Sequence, residues 1–178
     1  MSYLPLESER LLLRPYLRED APEIARLLND PEMARFLMVI PHPFVEFDAR
    51  QLVKAAWRRL TAGRGFDLLI TLKADGRPIG SIGIGLHDEG TRGELGFWVG
   101  RAYWGRGFAS EAACRIVDFA IERLGVERFT GTAAADNPAS LALLAKLGFR
   151  ETGHGRKRVP STGEMRKMIL LERGPDAR

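Results

Sequence analysis

One cysteine, Cys114, stands in 178 residues. That excludes an internal disulfide and any Cys-x-x-Cys zinc site, and it fits a reducing compartment. The three histidines, His42, His87 and His154, have no metal-ligand spacing, so no metal is expected. No apolar run approaches the ~18 residues of a membrane span. Residues 1–10 lack the basic-then-apolar layout of a signal peptide. The expected location is therefore the cytoplasm, with no membrane contact. No basic stripe carries interleaved aromatics, and no nucleic-acid partner is expected. No linker, repeat or low-complexity segment breaks the chain, so a single domain over residues 1–178 is expected, with a frayed tail after residue 173. What the sequence does have is a globular composition, 45% hydrophobic and 28% charged. Its net charge of +4 favours anionic ligands such as phosphates.

Apolar periodicity predicts the order β-α-α-α-β-β-β-α-β-α-β-β. A first strand over 9–14 stops at Pro15. Asp20 is placed to cap a helix with Pro22 in its first turn, and residues 31–38 suit a second short helix. A longer helix over 47–62 carries an apolar stripe through Phe47, Leu52, Ala55, Ala56, Trp57 and Leu60 and ends at Gly63. Residues 66–72, 79–87 and 94–99 read as an antiparallel meander whose first hairpin turns at Asp75-Gly76. A helix follows over 109–124, then a strand over 128–134, then a helix over 138–147 opened by Asn137-Pro138 and ended by Gly148. Strands over 149–153 and 164–172, joined by a basic loop, close the pattern. Cys114, inside a helical run, reads as a small packing residue.

The chain is organised around one junction. The meander delivers Phe97, Trp98 and Val99 to Trp104-Gly105-Arg106-Gly107-Phe108-Ala109-Ser110, where a helix begins. Glycine lets the backbone come close to a ligand. The first N–H groups of a helix have no intrahelical partner and carry partial positive charge, so the junction is an anion cradle. It is not a P-loop, because no GxxxxGK run exists. It is not a Rossmann fingerprint either: Ser110 holds the third glycine position, and the preceding strand belongs to a meander.

Residues 104–109 resemble the pyrophosphate loop of the GNAT superfamily of N-acetyltransferases, with Gly107 and Ala109 in the two small positions. Ser110-Glu111-Ala112 is similar to the helix start of the RimJ/RimL type, which acetylates ribosomal-protein N-termini. Glu9-Arg-Leu-Leu-Leu-Arg-Pro15 resembles the first strand of that type, and Glu94-Leu-Gly-Phe-Trp98 its fourth. Asp136-Asn137-Pro-Ala-Ser140 with Lys146-Leu-Gly-Phe149 resembles its second cofactor motif. The likeness covers nearly the whole chain. Two positions depart from it. Trp104 stands where Gln or Arg is usual, and Leu144 stands where many members carry a tyrosine that protonates the leaving thiolate.

The resemblance implies an α/β (α+β) GNAT fold, with a mixed, mostly antiparallel sheet of about seven strands splayed at the cofactor site and flanked by helices. It implies an enzyme that moves an acetyl group from acetyl-CoA to a primary amine. The amine is either a protein N-terminal α-amine or that of a small molecule such as an amino-sugar, polyamine or amino acid. A CoA-binding module without turnover is a third reading. The CoA pyrophosphate is expected on residues 104–110. The pantetheine arm is expected along the backbone of Phe97, Trp98 and Val99, with Asn137 and Ser140 beside it. Glu94 is the expected base, directly or through water, with His87 as a remote alternative. Ser140 is the group expected near the thiol. Asp88 and Glu89 are the acidic residues weighed for a cationic acceptor. The acceptor pocket is expected between the helices of residues 20–62 and the 154–164 loop. The resemblance leaves monomer and homodimer both open.

Overall fold

The computed structural model describes residues 3–37, 40–160 and 162–174. Its elements are β1 (Leu6–Glu7), β2 (Leu11–Pro15), α1 (Ala21–Leu28), α2 (Pro31–Ala34), α3 (Glu46–Thr61), β3 (Gly65–Leu72), β4 (Pro78–His87), β5 (Arg92–Val99), α4 (Phe108–Leu124), β6 (Arg128–Ala134), α5 (Pro138–Lys146), β7 (Arg150–Arg158) and β8 (Met165–Arg173). The strands form one sheet in the order β1-β2-β3-β4-β5-β6-β8-β7. All pairs are antiparallel except β5–β6. The expected mixed, mostly antiparallel sheet flanked by helices is therefore found. Its count is eight among the described residues rather than about seven. The additional strand, β1, is two residues long and too short to show periodicity.

Each face of the sheet buries its own core. On one face, Ile82, Ile84, Leu68 and Ile70 of the meander pack under α4 through Ala113, Ile116, Val117 and Ala120, and under α5 through Leu143 and Leu144. On the other, Leu69 lies under α1 and α3 with Ile24, Leu28, Ala49, Val53 and Ala56. Strand alternation sends Leu68 and Leu69 to opposite faces, so β3 is apolar throughout its middle and reads as a continuous run.

Several expectations need correction. The buried stripe of α3 is Ala49, Val53, Ala56 and Leu60, an i, i+4, i+7, i+11 series. Phe47 and Trp57, the largest apolar residues of that helix, are 66% and 42% exposed. The small residues set the phase because α3 lies close on the sheet. Asp20 precedes α1, but its carboxylate does not cap it. It takes a bidentate pair from Arg14 at 2.8 Å and the Leu17 N–H at 2.7 Å. The second short helix spans only Pro31–Ala34, capped by Asp30, and residue 38 of the expected span lies outside the described residues. The first half of the expected basic loop, residues 154–158, is strand, since β7 runs to Arg158 and pairs with β8 as far as Met165. Cys114 is exposed on α4 rather than packed. Residues 175–178 of the expected frayed tail lie outside the described residues.

Candidate active site

The parallel pair β5–β6 is short. Arg92, Gly93 and Glu94 face Arg128, Phe129 and Thr130, and the pairing goes no further. Beyond it, residues 95–99 of β5 and 131–134 of β6 diverge. A cavity of about 1040 Å³ opens there and reaches under α3. The Gly100 N–H donates to Ile79 O at 2.8 Å. Hydrogen-bonded and non-bonded pairs alternate along an antiparallel ladder. With Gly80 opposite Val99 and Ser81 opposite Trp98, the backbone groups of Trp98 turn to β4, and those of Phe97 and Val99 turn to the gap. Trp104 donates its indole N–H to Val99 O at 2.6 Å, which leaves the Val99 N–H and both Phe97 groups as the free edge. Trp98 contributes its half-buried side chain to the lining.

The glycine turn closes one end of the gap. Gly105 and Gly107 have φ of 71° and 80°, the left-handed region that favours glycine. A Cβ on Gly107 would stand 3.4 Å from the Arg10 guanidinium. Gly107 takes the N-cap position of α4 and offers no capping side chain. The first intrahelical bond is Glu111 N–H to Gly107 O, so the N–H groups of Phe108, Ala109 and Ser110 lack an intrahelical acceptor. Two cations flank them, with the Arg10 and Arg106 guanidinium carbons 4.5 and 5.1 Å from the Phe108 ring centroid. Glu111 locks this turn to the start of β2. It accepts bonds from the Arg10 backbone N–H at 2.8 Å, the Ser8 hydroxyl at 2.7 Å and the Arg10 guanidinium at 2.7 Å. Burial pushes the Glu111 carboxyl up, but these donors outweigh it and hold it below the usual carboxylate range.

At the far wall, the Asn137 side chain accepts the Ser140 N–H at 3.1 Å and so caps α5. Asn137 and Ser140 both line the cavity. Leu144 is 2% exposed and packs over Gly131 of β6, where a Cβ would stand 3.2 Å from its methyl. The departure from tyrosine is therefore a core contact at the cavity wall.

Glu94 lines the cavity where β5 and β6 part. Its side chain is 60% exposed, and its carboxylate stands 3.3 Å from His87 Nε2. The two candidate bases are thus neighbours. Asp88 and Glu89 do not line the cavity, and Asp88 is paired with Arg92 at 2.7 Å. Two residues that sequence reasoning missed do line it. Asp67 of β3 meets Arg59 of α3, with Nη1–Oδ2 at 3.1 Å. Burial raises the Asp67 carboxyl above its ordinary value, and the Arg59 charge offsets part of that. Nothing local marks them, because a charge on a strand and a charge on a helix are common surface features. The acceptor-side helices expected at the wall are present through Met33, Leu52, Ala55 and Arg59, while the expected loop contributes Lys157, which lies on β7. Among the described residues, no group of three or more His, Cys, Asp or Glu is arranged to hold a metal ion, and no helix is long and apolar enough to cross a membrane.

A sheet parted beside uncapped helix N–H groups makes a cleft suited to an extended anionic ligand. Residues 10–150 match the acetyltransferase (GNAT) domain, and the chain belongs to that family of N-acetyltransferases. The N-acetyltransferase p20 of Bacillus licheniformis is 32% identical over 149 residues, covering 83% of each chain. Among solved structures, RimL, a ribosomal L7/L12 α-N-protein acetyltransferase in complex with coenzyme A, superposes with a TM-score of 0.84 at 19% identity over 96% of this chain and 97% of its own. RimJ of Mycobacterium smegmatis, in complex with a CoA disulfide, gives 0.80 at 23% identity over 92% and 81%. The resemblance to the RimJ/RimL type read from the motifs is borne out at the level of family and fold.

Proposed function

We propose that this chain, acting as one domain, transfers the acetyl group of acetyl-CoA to a protein N-terminal α-amine. The observation that carries the reading is the gap itself. A free strand edge at Phe97 and Val99 leads to uncapped N–H groups at Phe108, Ala109 and Ser110, the sequence of donors and acceptors that a pantetheine arm and a pyrophosphate need. Trp104, Gly105, Arg106 and Gly107 shape that end, and the left-handed backbone at Gly105 and Gly107 favours glycine there. The RimL and RimJ structures, which hold coenzyme A and a CoA disulfide, support the same donor.

An amine attacks only when neutral. At pH 7, deprotonating a lysine costs about 4.6 kcal/mol and an α-amine about 1 to 1.4 kcal/mol, at 1.36 kcal/mol per pKa unit. A 60% exposed carboxylate such as Glu94 suits the smaller task, accepting the proton directly or through water. Ser140, at the α5 start on the opposite wall, is the hydroxyl assigned to the departing thiol, since Leu144 has no proton to give.

The test is calorimetry followed by turnover. Acetyl-CoA should bind, and short peptides with free N-termini should drive CoA release faster than their lysine-only counterparts. No heat at millimolar acetyl-CoA rejects the donor, and a preference for lysine side chains rejects the acceptor.

A further inference from the structure

The floor of the cavity between β3 and β5 is bare. Asp67 lies opposite Gly83, and Gly83 lies opposite Gly96. These three face the α3 side, because their neighbours Leu68, Ile82 and Ile84 belong to the core under α4. A Cβ at Gly83 would overlap the Asp67 carboxylate, so glycine there is what lets that carboxylate lie across β4. A Cβ at Gly96 would meet nothing within 4 Å. The result is a lane, one strand spacing per step, running from the Asp67 carboxylate over Gly83 to open space above Gly96 at the lip of the gap. Adjacent strands lie about 4.8 Å apart. Next to the lane, Arg59 reaches over Gly85 and Gly65, where Cβ atoms would stand 2.7 and 3.0 Å from its Nη2, and it neutralises Asp67.

Resting on the acetyl-transfer reading of the gap, we infer that Asp67 is the carboxylate that selects the acceptor, by binding a second cationic or N–H group about one strand spacing (~5 Å) from the reacting nitrogen. The reacting amine stands above Gly96, within reach of the gap on one side and of Glu94, two residues along the same strand, on the other. The second group lies above the Asp67 carboxylate where that carboxylate crosses Gly83, and it competes with Arg59, which contacts both Asp67 oxygens. The acceptor class is thus an amine with a nearby donor: a diamine, or a peptide N-terminus whose own amide N–H groups follow at that distance. A plain alkylamine has nothing to offer Asp67. Burial supports the assignment, since the Asp67 side chain is only 24% exposed and a largely desolvated carboxylate gains more from a new cation than an exposed one does.

The matched probes are 1,3-diaminopropane and n-propylamine, which differ by one amine at the required distance. Calorimetric titration into the full chain saturated with CoA should give at least a tenfold preference for the diamine. Asp67→Asn should reduce that preference to within about twofold, and so should Gly83→Ala, which keeps the carboxylate and displaces it. Arg59→Met should strengthen diamine binding, because the competing cation is gone. Equal binding of the two probes by the unaltered protein overturns the inference. So does a preference that survives in both Asp67→Asn and Gly83→Ala. CoA affinity is measured first and separately. Its absence rejects the donor reading, and the diamine titration on the free protein then still decides whether Asp67 selects amines.

Discussion

At the proposed donor end of the cavity, Trp104, Gly105 and residues 107–110 line a surface made largely of backbone. At the proposed acceptor end, Arg59, Asp67 and Glu94 arrive from α3, β3 and β5, with His87 of β4 beside Glu94, and the surface is made of side chains over glycines. The first kind of site is written in a short stretch, because N–H direction follows from two left-handed glycines and a helix start. The second kind exists only when strand register puts Asp67 beside Gly83 and Gly96. A backbone site holds a constant feature of the donor. A side-chain site can be changed residue by residue, which is what a family serving many acceptors requires.

Breaking the donor end should have the largest effect. Gly107→Val imposes a β-branched residue on φ of 80°. Left-handed strain of about 1–2 kcal/mol with the loss of a charge-assisted bond of about 1.5–3 kcal/mol predicts a roughly 10²–10⁴-fold weaker acetyl-CoA affinity by calorimetry. Unchanged affinity would mean that the donor is held elsewhere.

An intermediate effect is expected at the acceptor end. Glu94→Gln should lower kcat/KM about 10²-fold, the lower limit for a general base, because the site is open to water. Unchanged kcat/KM in that variant, with acetyl-CoA saturating, removes Glu94 as the base and points to His87, 3.3 Å away.

The smallest effect is on the brace that ties the glycine turn to the start of β2. Glu111→Ala frees the Ser8 hydroxyl and both Arg10 donors, and should cost about 1–2 kcal/mol, or roughly 2–8 °C in Tm. The Glu111 carboxyl is held low in the folded protein, so its contribution is present above the unfolded value near ~4.3 and is lost as pH falls through the lower folded value. Acid titration of stability should be steeper in the unaltered chain than in Glu111→Gln. Equal slopes would show that Glu111 does not brace the turn.

The α3 stripe shows where reading along the chain misleads. Phe47 and Trp57 are its largest apolar residues, yet the buried line is Ala49, Val53, Ala56 and Leu60. Hydrophobicity ranks side chains, whereas the close approach of a helix to a sheet selects small ones. Trp57 satisfies its indole N–H on Tyr16 O at 2.8 Å and leaves its ring half outside. The order of strands and helices was legible because strands and helices have different periods and their ends carry Gly, Pro, Asp or Asn. The two-residue β1 and the extension of β7 were not legible, since both are held by pairing with β2 and β8 rather than by composition.

By itself the sequence determined the family, the order of elements and the glycine turn that opens α4, the last two of which rest on contacts between near neighbours in the chain. The tertiary structure decided which backbone edge is free, that His87 stands beside Glu94, and that Asp67 crosses a glycine floor under Arg59. Each of those depends on register between strands or on the seating of α3. A one-residue slip in register would turn Asp67 to the opposite face of the sheet, with no change in the sequence to announce it.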